Sequence, residues 1–332
     1  MVTAGVAIIG CGLIGAKRAA SLPLGSLKVA CDLDAARAAA LAARYGAAST
    51  TDWRAAIDDD RVGIVVVATT HDQLAPITAY AAGAGRHVIV EKPAARRAAE
   101  LDAVAAAVER TGALVRIGFN HRYHRAFRAA RKIVDAGTLG PLTHVRGRYG
   151  HGGRLGYEQE WRFDPEISGG GEAIDQGIHL IDLARWFLGD FQEPDGAMRR
   201  YFWDSAVEDN AFFLLRGSEG RVAQLHASWS EWKNTFSFEL YGRSGKLEVT
   251  GLGGSYGVER LAHYAMSPAL GPPETFIYEY PMADDSWDAE FAAFLEDIEL
   301  GRTPDPTVAD ARAALTIVET LYRREGLYDH HP

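Results

Sequence analysis

The chain has 332 residues, 47% of them hydrophobic and 24% charged, a balance typical of a globular protein whose length favours two domains. The formal net charge of −9 argues against binding to a nucleic-acid backbone, and no run approaches the roughly 18 apolar residues that a membrane span needs. Two cysteines, no leader-like N-terminal pattern and scattered histidines together predict a cytoplasmic protein without disulfides or a metal site.

Strand-like apolar runs alternate with helical segments through residues 1–121. The runs are GVAIIG, LKVACD, VGIVVVATT, RHVIVEKP and ALVRIGFN. Between the second and third lies the alanine-rich helix DAARAAALAARYG, which ends at Gly46. Continuous apolar runs separated by helices are typical of a parallel sheet covered on both faces. Residues 1–121 are therefore predicted to form a doubly wound, dinucleotide-binding Rossmann domain of the α/β class.

The pattern changes in residues 122–332. Helical stretches at 123–136 and 172–188 flank a glycine-rich segment, and alternating aromatic-rich runs follow. These runs are AFFLLRG, RVAQLHASWSEW and FSFELYGRSGKLEVTG. Alternation indicates an antiparallel sheet with one covered face. The chain then returns to helix in SWDAEFAAFLEDIELG and TVADARAALTIVETLYRREG, so residues 122–332 are predicted to form an α+β substrate domain whose last helices pack near the domain interface.

A glycine motif follows the first predicted strand. Gly10, Gly12 and Gly15 form G-x-G-x-x-G, with Leu13 and Ile14 between the last two at the opening of a helix. In this context the glycines permit a tight turn, close approach of a pyrophosphate and close helix packing, and the helix N-terminus favours the phosphates. The motif predicts a dinucleotide site.

An acidic residue accompanies the motif. Asp32 closes the second strand 20 residues after Gly12, where a carboxylate can bind the ribose hydroxyls and repel a 2′-phosphate, so NAD is favoured. Arg37 lies close enough in sequence to reach the ribose, and it leaves NADP as an alternative.

Three polar residues lie at helical spacing in GGGEAIDQGIHLIDLARWFLG, residues 169–189. Asp175, His179 and Asp182 share a stripe beside an apolar face of the predicted helix. One interpretation is a solvated edge carrying a weak ion pair. The other is a functional site, and for Asp182 decoration of the helix surface is the favoured interpretation.

The segment VIVEKP adds a second motif, with EKP at residues 91–93 at the end of a predicted parallel strand, where open sheets bind ligands. Combined with G-x-G-x-x-G upstream and D-x-x-x-H at residues 175–179, it resembles the glucose–fructose oxidoreductase and inositol dehydrogenase family of sugar and polyol oxidoreductases. The resemblance extends over essentially the whole chain. It implies a large open, mostly antiparallel sheet in the second domain and assembly into a homodimer or homotetramer.

The resemblance also implies roles for individual residues. Lys92 matches the family's catalytic lysine, and Asp175 and His179 match its aspartate and histidine. Further cofactor contacts are implied for Ala68, Thr69, Thr70, Glu91, Lys92, Asn120, Trp161 and Arg162. Thr70 stands where many relatives have proline, which leaves the details of that contact open.

These assignments predict oxidation of a secondary alcohol, with hydride transfer to NAD. His179 would be the general base, since a histidine pKa near 6.5 suits proton transfer close to neutrality. Lys92 would stabilise the negative charge that develops on the reacting oxygen. Asp175 would either orient His179 or bind a neighbouring substrate hydroxyl.

The stretch 146–162 precedes the helix with the predicted base and is a candidate wall of the substrate pocket. The substrate-binding residues predicted are Lys92, Arg148, Tyr149, Arg154, Tyr157, Trp161, Asp175 and His179. Aromatic faces suit a pyranose, and arginines suit a carboxylate or phosphate, which points to an acidic or nucleotide-linked sugar. A free polyol stays open, as does a surface or oligomer role for the arginines.

Two other functions remain as alternatives to the dehydrogenase. One is a dinucleotide-binding regulator without turnover. The other is an enzyme that uses NAD transiently to cleave glycosides through a 3-keto sugar.

Overall fold

The computed structural model describes residues 4–269 and 271–327, and the chain divides into two compact units. The first unit comprises Met1–Phe119, Glu166–Gly169 and Trp287–Arg312. The second comprises Asn120–Pro165, Gly170–Ser286 and Ala313–Pro332. The sequence predicted two consecutive domains that meet at residue 121, whereas the chain returns to the first unit twice.

A six-stranded parallel sheet organises the first unit, in the order β3-β2-β1-β4-β5-β6. Its strands are β1 (Gly5–Ile9), β2 (Leu27–Cys31), β3 (Ala48–Thr50), β4 (Val62–Val67), β5 (His87–Glu91) and β6 (Val115–Gly118). The doubly wound α/β prediction is confirmed, with the short edge strand β3 as an addition. The strand order reverses between β1 and β4, and the ends of these strands are where such sheets bind ligands.

An eight-stranded sheet organises the second unit, in the order β14-β13-β12-β11-β7-β10-β9-β8. Its strands are β7 (Leu142–Gly150), β8 (Phe191–Arg199), β9 (Asn210–Gly217), β10 (Val222–Ser228), β11 (Thr235–Gly242), β12 (Gly245–Thr250), β13 (Glu259–Ala265) and β14 (Glu274–Tyr280). All neighbours are antiparallel except β7 and β10, which run parallel. The mostly antiparallel sheet is confirmed, although its central strand β7 was not predicted.

Helices fill the connections in both units. They are α1 (Leu13–Ala20), α2 (Ala35–Tyr45), α3 (Trp53–Asp58), α4 (His71–Gly83), α5 (Asp102–Thr111), α6 (Arg125–Asp135), α7 (Pro165–Ser168), α8 (Ile178–Leu188), α9 (Ser286–Leu300) and α10 (Val308–Arg324). The predicted end of α2 is confirmed, because Gly46 adopts the left-handed conformation at its C-cap.

The chain returns to the first unit through α9, because side chains of this helix pack in that unit's hydrophobic core. Ile8, Ile64 and Ile89 of the parallel sheet are buried, and Phe291 and Phe294 of α9 belong to the same buried cluster. Because two large aromatic side chains of α9 are removed from water by this packing, the helix is part of the first unit's hydrophobic core.

Candidate active site

The loop after β1 is built from glycines that tolerate no side chain. Gly10 has φ +95°, and a Cβ there would lie 2.3 Å from the carbonyl oxygen of Ala68. A Cβ at Gly15 would lie 1.8 Å from the carbonyl oxygen of Gly10. Glycine is therefore required at both positions, because the loop turns in the left-handed region and passes directly against backbone.

Gly12 differs from its neighbours in the motif. A Cβ built on it meets no atom within 4 Å, and it precedes α1 without a side chain to cap the helix. The adjoining Leu13 is 75% exposed, and Ile14 is partly buried. The backbone N–H groups at the start of α1 thus face an open approach, which fits the binding of a dinucleotide pyrophosphate at a helix N-terminus.

Asp32 sits immediately after β2, held by two backbone N–H groups. One carboxylate oxygen accepts from the Cys11 nitrogen at 2.8 Å, and the other accepts from the Asp34 nitrogen at 2.9 Å. Arg37 lies 3.8 Å from Asp32 and 3.6 Å from Asp34, so its charge faces two carboxylates. This arrangement presents a negative group at the predicted ribose position, in keeping with NAD.

The segment after β4 supplies backbone to the same loop. A Cβ at Gly10 would also approach the Thr69 nitrogen, at 3.0 Å, so Ala68 and Thr69 pass directly beneath the glycine turn. The Thr70 hydroxyl donates to the Asp72 carboxylate at 2.6 Å at the start of α4. The cofactor contacts implied for these three residues stay a prediction.

The EKP motif begins at Glu91, the last residue of β5, whose side chain is held by a buried arginine. Glu91 is buried, and Arg18 Nε donates to its Oε1 at 2.7 Å. Arg18 also pairs with the buried Glu290 and lies over the Trp287 ring. The Glu91 side chain therefore engages a buried guanidinium, a partner that differs from the cofactor contact implied by the resemblance. Its neighbour Lys92, partly buried, begins the turn at the C-terminal end of the strand.

In the second unit a π-helical turn, Ala173–Gly177, precedes α8. Such turns are rare in proteins overall, but those that occur are often found at functional sites. Asp175, His179 and Asp182 are 7%, 5% and 0% exposed. The interpretation of this stripe as a solvated edge is wrong, because all three side chains are enclosed by protein.

The π-helical turn is held by a buried carboxylate. Glu208 accepts from the nitrogens of Gly171 and Ala173 at 3.1 and 3.0 Å and from the Tyr322 hydroxyl at 2.6 Å. Burial raises the pKa of Glu208 above its usual value, although these hydrogen bonds oppose the effect. Glu208 thus ties the start of the turn to the last helix of the chain.

Asp182 has a structural partner. Arg122 donates from Nε to one carboxylate oxygen at 2.8 Å and from Nη2 to the other at 2.5 Å, and both side chains are buried. The prediction that Asp182 decorates the helix surface is wrong, since a bidentate pair fixes it inside the unit.

His179 lies among aromatic rings. Its imidazole stacks on that of His121, with ring centroids 3.9 Å apart and planes 29° apart, and the Tyr149 ring lies 6.2 Å away. Burial, with smaller effects of Tyr256 and Asp175, raises the pKa of Tyr149 well above its usual value. Its hydroxyl therefore stays protonated near neutrality and can donate a hydrogen bond.

Asp175 belongs to a chain of alternating charges. Arg162 Nε donates to Asp175 Oδ2 at 3.2 Å, and Arg162 lies 3.4 Å from Glu160, which also pairs with Arg154. The guanidinium of Arg162 further stacks over the Trp161 ring at 4.6 Å. The charges of Arg154 and Arg162 are thus balanced by Glu160 and Asp175.

Arg148 and Tyr157, both predicted to bind substrate, have different surroundings in the structure. Arg148 is exposed on the face of β7 opposite to Gly147, which packs against Leu180 of α8, so its side chain points away from the helix that carries His179. Tyr157 is 3% exposed in an aromatic cluster with Phe163 and Trp229. Strand alternation therefore corrects the prediction for Arg148, whereas the substrate contact predicted for Tyr157 stays a prediction.

Two family profiles match the chain. Residues 4–119 match the oxidoreductase family with an NAD-binding Rossmann fold, and residues 127–248 match the GFO/IDH/MocA C-terminal domain. The chain belongs to the GFO/IDH/MocA oxidoreductase family. The resemblance drawn from the three motifs is confirmed, and so is an NAD-binding Rossmann domain.

Relatives within the GFO/IDH/MocA family are sugar and polyol enzymes. Levoglucosan dehydrogenase of Pseudarthrobacter phenanthrenivorans is 31% identical over 66% of this chain and 64% of that protein. Inositol 2-dehydrogenase of Salmonella typhimurium is 26% identical over 96% of this chain and 93% of its own. The solved structure of levoglucosan dehydrogenase with NADH and levoglucosan is similar with a TM-score of 0.86, at 25% identity over 97% of this chain and 96% of that one.

Sequence reasoning in this GFO/IDH/MocA chain missed several residues around His179. His121, Tyr256 and Glu208 were not predicted, although the preceding residue Asn120 was. Asn120 is buried and donates from its amide to the Ser286 hydroxyl at 2.9 Å. The histidine directly after it was the available signal for His121, whereas no local pattern marks Tyr256 or Glu208.

None of the helices within residues 4–269 and 271–327 has the length and apolar composition that a membrane span requires. Within the same residues, no group of three or more histidine, cysteine, aspartate or glutamate side chains is arranged to hold a metal ion.

Proposed function

We propose that this protein is an NAD-dependent dehydrogenase that oxidises one secondary alcohol of a neutral cyclic sugar or polyol. The observation that carries the proposal is the enclosure of Asp175 and His179 at a π-helical turn, in a chain whose other unit has the glycine loop and Lys92. Buried titratable side chains at such a turn are candidates for acid–base chemistry.

The chain's own residues divide the chemistry between them. NAD, when bound at the glycine loop, supplies the hydride acceptor. Lys92 donates a hydrogen bond from Nζ to the reacting alcohol oxygen and stabilises the charge that develops there. His179 accepts the alcohol proton on a ring nitrogen, and Asp175, fixed by Arg162, contributes a carboxylate one turn before it.

The charge balance around Asp175 favours a neutral substrate. Arg154 and Arg162 are paired with Glu160 and Asp175. An anionic sugar would need an arginine whose charge is not already met by a carboxylate, because bidentate recognition uses the same guanidinium donors. This argument replaces the acidic or nucleotide-linked sugar suggested by arginine content alone.

Two alternatives rest on weaker support. A regulator without turnover would not need the lysine, aspartate and histidine together. A glycoside-cleaving enzyme would need a further acid–base group, which the described part of the second unit does not identify. The names of the relatives, which refer to levoglucosan and inositol, also favour a neutral ring as substrate here.

The test is an assay of NADH formation with purified protein and a panel of levoglucosan, myo-inositol, D-glucose, D-glucuronate and UDP-glucose. We expect net NADH release with at least one neutral compound and a much lower kcat/KM for the two anionic ones. Preference for an anionic compound would overturn the charge argument. Release of sugar from an aryl glycoside without NADH would support transient use of NAD, and no turnover with any compound would support the regulator.

We further propose a cytoplasmic homodimer or homotetramer. Both cysteines are free thiols, and the edge strand β14 exposes Phe276, Ile277 and Tyr278 at 40%, 51% and 45%. Exposed large apolar side chains on one strand are typical of an association surface. Light scattering after size-exclusion chromatography measures the mass, and a monomer would contradict the assembly.

A further inference from the structure

One short turn of the second unit contacts α8 at two points. The 3₁₀ turn Asn120–Tyr123 follows the last strand of the parallel sheet. Its Arg122 holds Asp182 through two hydrogen bonds, and its His121 stacks on His179, three residues earlier on the helix. These two contacts lie one helical turn apart on the same side of α8. They therefore fix both the register of α8 and the position of the His179 ring relative to the 3₁₀ turn.

His121 is buried, and its ring is surrounded by three further aromatic rings and the Asn120 side chain. It is 5% exposed, and the rings of His124, Tyr149 and Phe236 have centroids 5.5, 5.2 and 5.9 Å from its own. Its Nδ1 lies 3.3 Å from the side-chain oxygen of Asn120. The Asn120 amide in turn donates to the Ser286 hydroxyl at 2.9 Å, which fixes the Asn120 side chain beside the His121 ring.

Histidine alone does not fix the plane of its ring. The torsion between an sp³ and an sp² carbon has broad, roughly two-fold minima, so backbone and rotamer preference leave the imidazole free to rotate. A general base must keep one nitrogen within about 0.5 Å and 10–20° of its productive position. A flat ring pressed against the imidazole removes that freedom.

We propose that His121 is a positioning residue, whose stacked ring fixes the plane of the His179 imidazole. This inference rests on the proposed function for the claim that His179 is the base.

The test asks whether His121 acts through its flat aromatic face or through an imidazole nitrogen. His121→Phe keeps an aromatic face, and His121→Leu keeps buried apolar volume without one. The matched control is His144→Leu, which removes a histidine stacked on Tyr241 at 4.2 Å on the other face of the sheet. Thermal unfolding and NADH affinity, measured by fluorescence, report folding of each variant.

Two readouts follow the stack. In proteins with ¹³C-labelled histidine, the His179 ring signal is assigned with His179→Asn, and a stacked partner displaces it upfield. We expect this displacement in the wild type, in His121→Phe and in His144→Leu, and its loss in His121→Leu. With the best neutral compound of the panel, His121→Leu should lower kcat by about 10- to 100-fold with little change in KM, while His121→Phe stays within about threefold of the wild type.

The proposal is overturned if the His179 signal is the same in His121→Leu as in the wild type, or if His121→Phe loses as much kcat as His121→Leu. Failure of the proposed function shows separately. Retained turnover in His179→Asn would remove His179 as the base, whereas the ring signals decide the stack without any turnover.

Discussion

The two units position their functional side chains by different means. In the first unit four candidates directly follow a parallel strand: Gly10 after β1, Asp32 after β2, Ala68 after β4 and Lys92 after β5. In the second unit His121, Tyr149 and His179 come from a turn, a strand and a helix separated by tens of residues. Parallel strands bring their carboxyl ends to one edge by topology, whereas the second set depends on side-chain contacts between distant segments.

This difference predicts how a substitution should affect each unit. A change in the first unit should alter one local contact, since the sheet itself places the strand ends. A change at a buried contact of the second unit should move a whole helix, together with the proposed base His179. Each unit offers a buried arginine for this comparison, Arg18 beneath Glu91 and Arg122 against Asp182.

The largest effect is expected from the reacting groups themselves, one from each unit. Lys92→Met and His179→Asn should each lower kcat by about 10²-fold or more, because one removes stabilisation of the developing oxyanion and the other removes the base. Steady-state kinetics measure kcat, and NADH binding confirms an intact cofactor site. Arg148→Gln, on the opposite face of β7, is the control and should leave kcat within about twofold. A Lys92 variant that raised only KM would make this lysine a binding residue.

The next effect is on stability, and it compares the two buried arginines. Arg18→Met and Arg122→Met should each lower the free energy of unfolding by at least about 3–5 kcal/mol. The first removes the guanidinium from two buried carboxylates, Glu91 and Glu290, and the second removes it from Asp182. Denaturant unfolding measures the loss. We expect only Arg122→Met to lower kcat of the remaining folded enzyme markedly, because Asp182 and His179 share one helix.

The matched control for that pair is Arg122→Met combined with Asp182→Leu, which removes both charges. It should recover much of the stability, because an apolar pair leaves no buried charge without a partner. Equal losses of kcat in Arg18→Met and Arg122→Met would contradict the contrast between the two units.

The smallest effect is expected at a single local contact of the first unit. Asp32→Ser should raise kcat/KM for NADP relative to NAD by about tenfold, since it removes a negative charge at the ribose and frees Arg37 from one of its two carboxylates. Kinetics with both cofactors measure the ratio. An unchanged ratio with intact stability would show that Asp32 does not contact the ribose.

The sequence predicted more of the first unit than of the second. The first unit contains three short patterns with local chemistry: G-x-G-x-x-G, the acidic residue after β2 and the EKP turn. The family, the fold class and the cofactor of the chain could therefore be predicted from them directly. The burial of Asp182 could not, because its partner Arg122 is 60 residues away and both residue types are common at surfaces. Arg148 was misplaced because its strand was not recognised, and without the strand its alternation with Tyr149 could not be seen.

By itself the sequence determined the family, an NAD-binding parallel sheet and an α+β unit with a mostly antiparallel sheet. Through the family resemblance it also predicted Lys92, Asp175 and His179 as catalytic residues. Local periodicity and short motifs carry this information. Only the tertiary structure decided that His121 stacks on His179, that Asp182 is a buried anchor and that the arginines near Asp175 are charge-balanced. These facts depend on which distant segments meet, and that is set by packing of the whole unit.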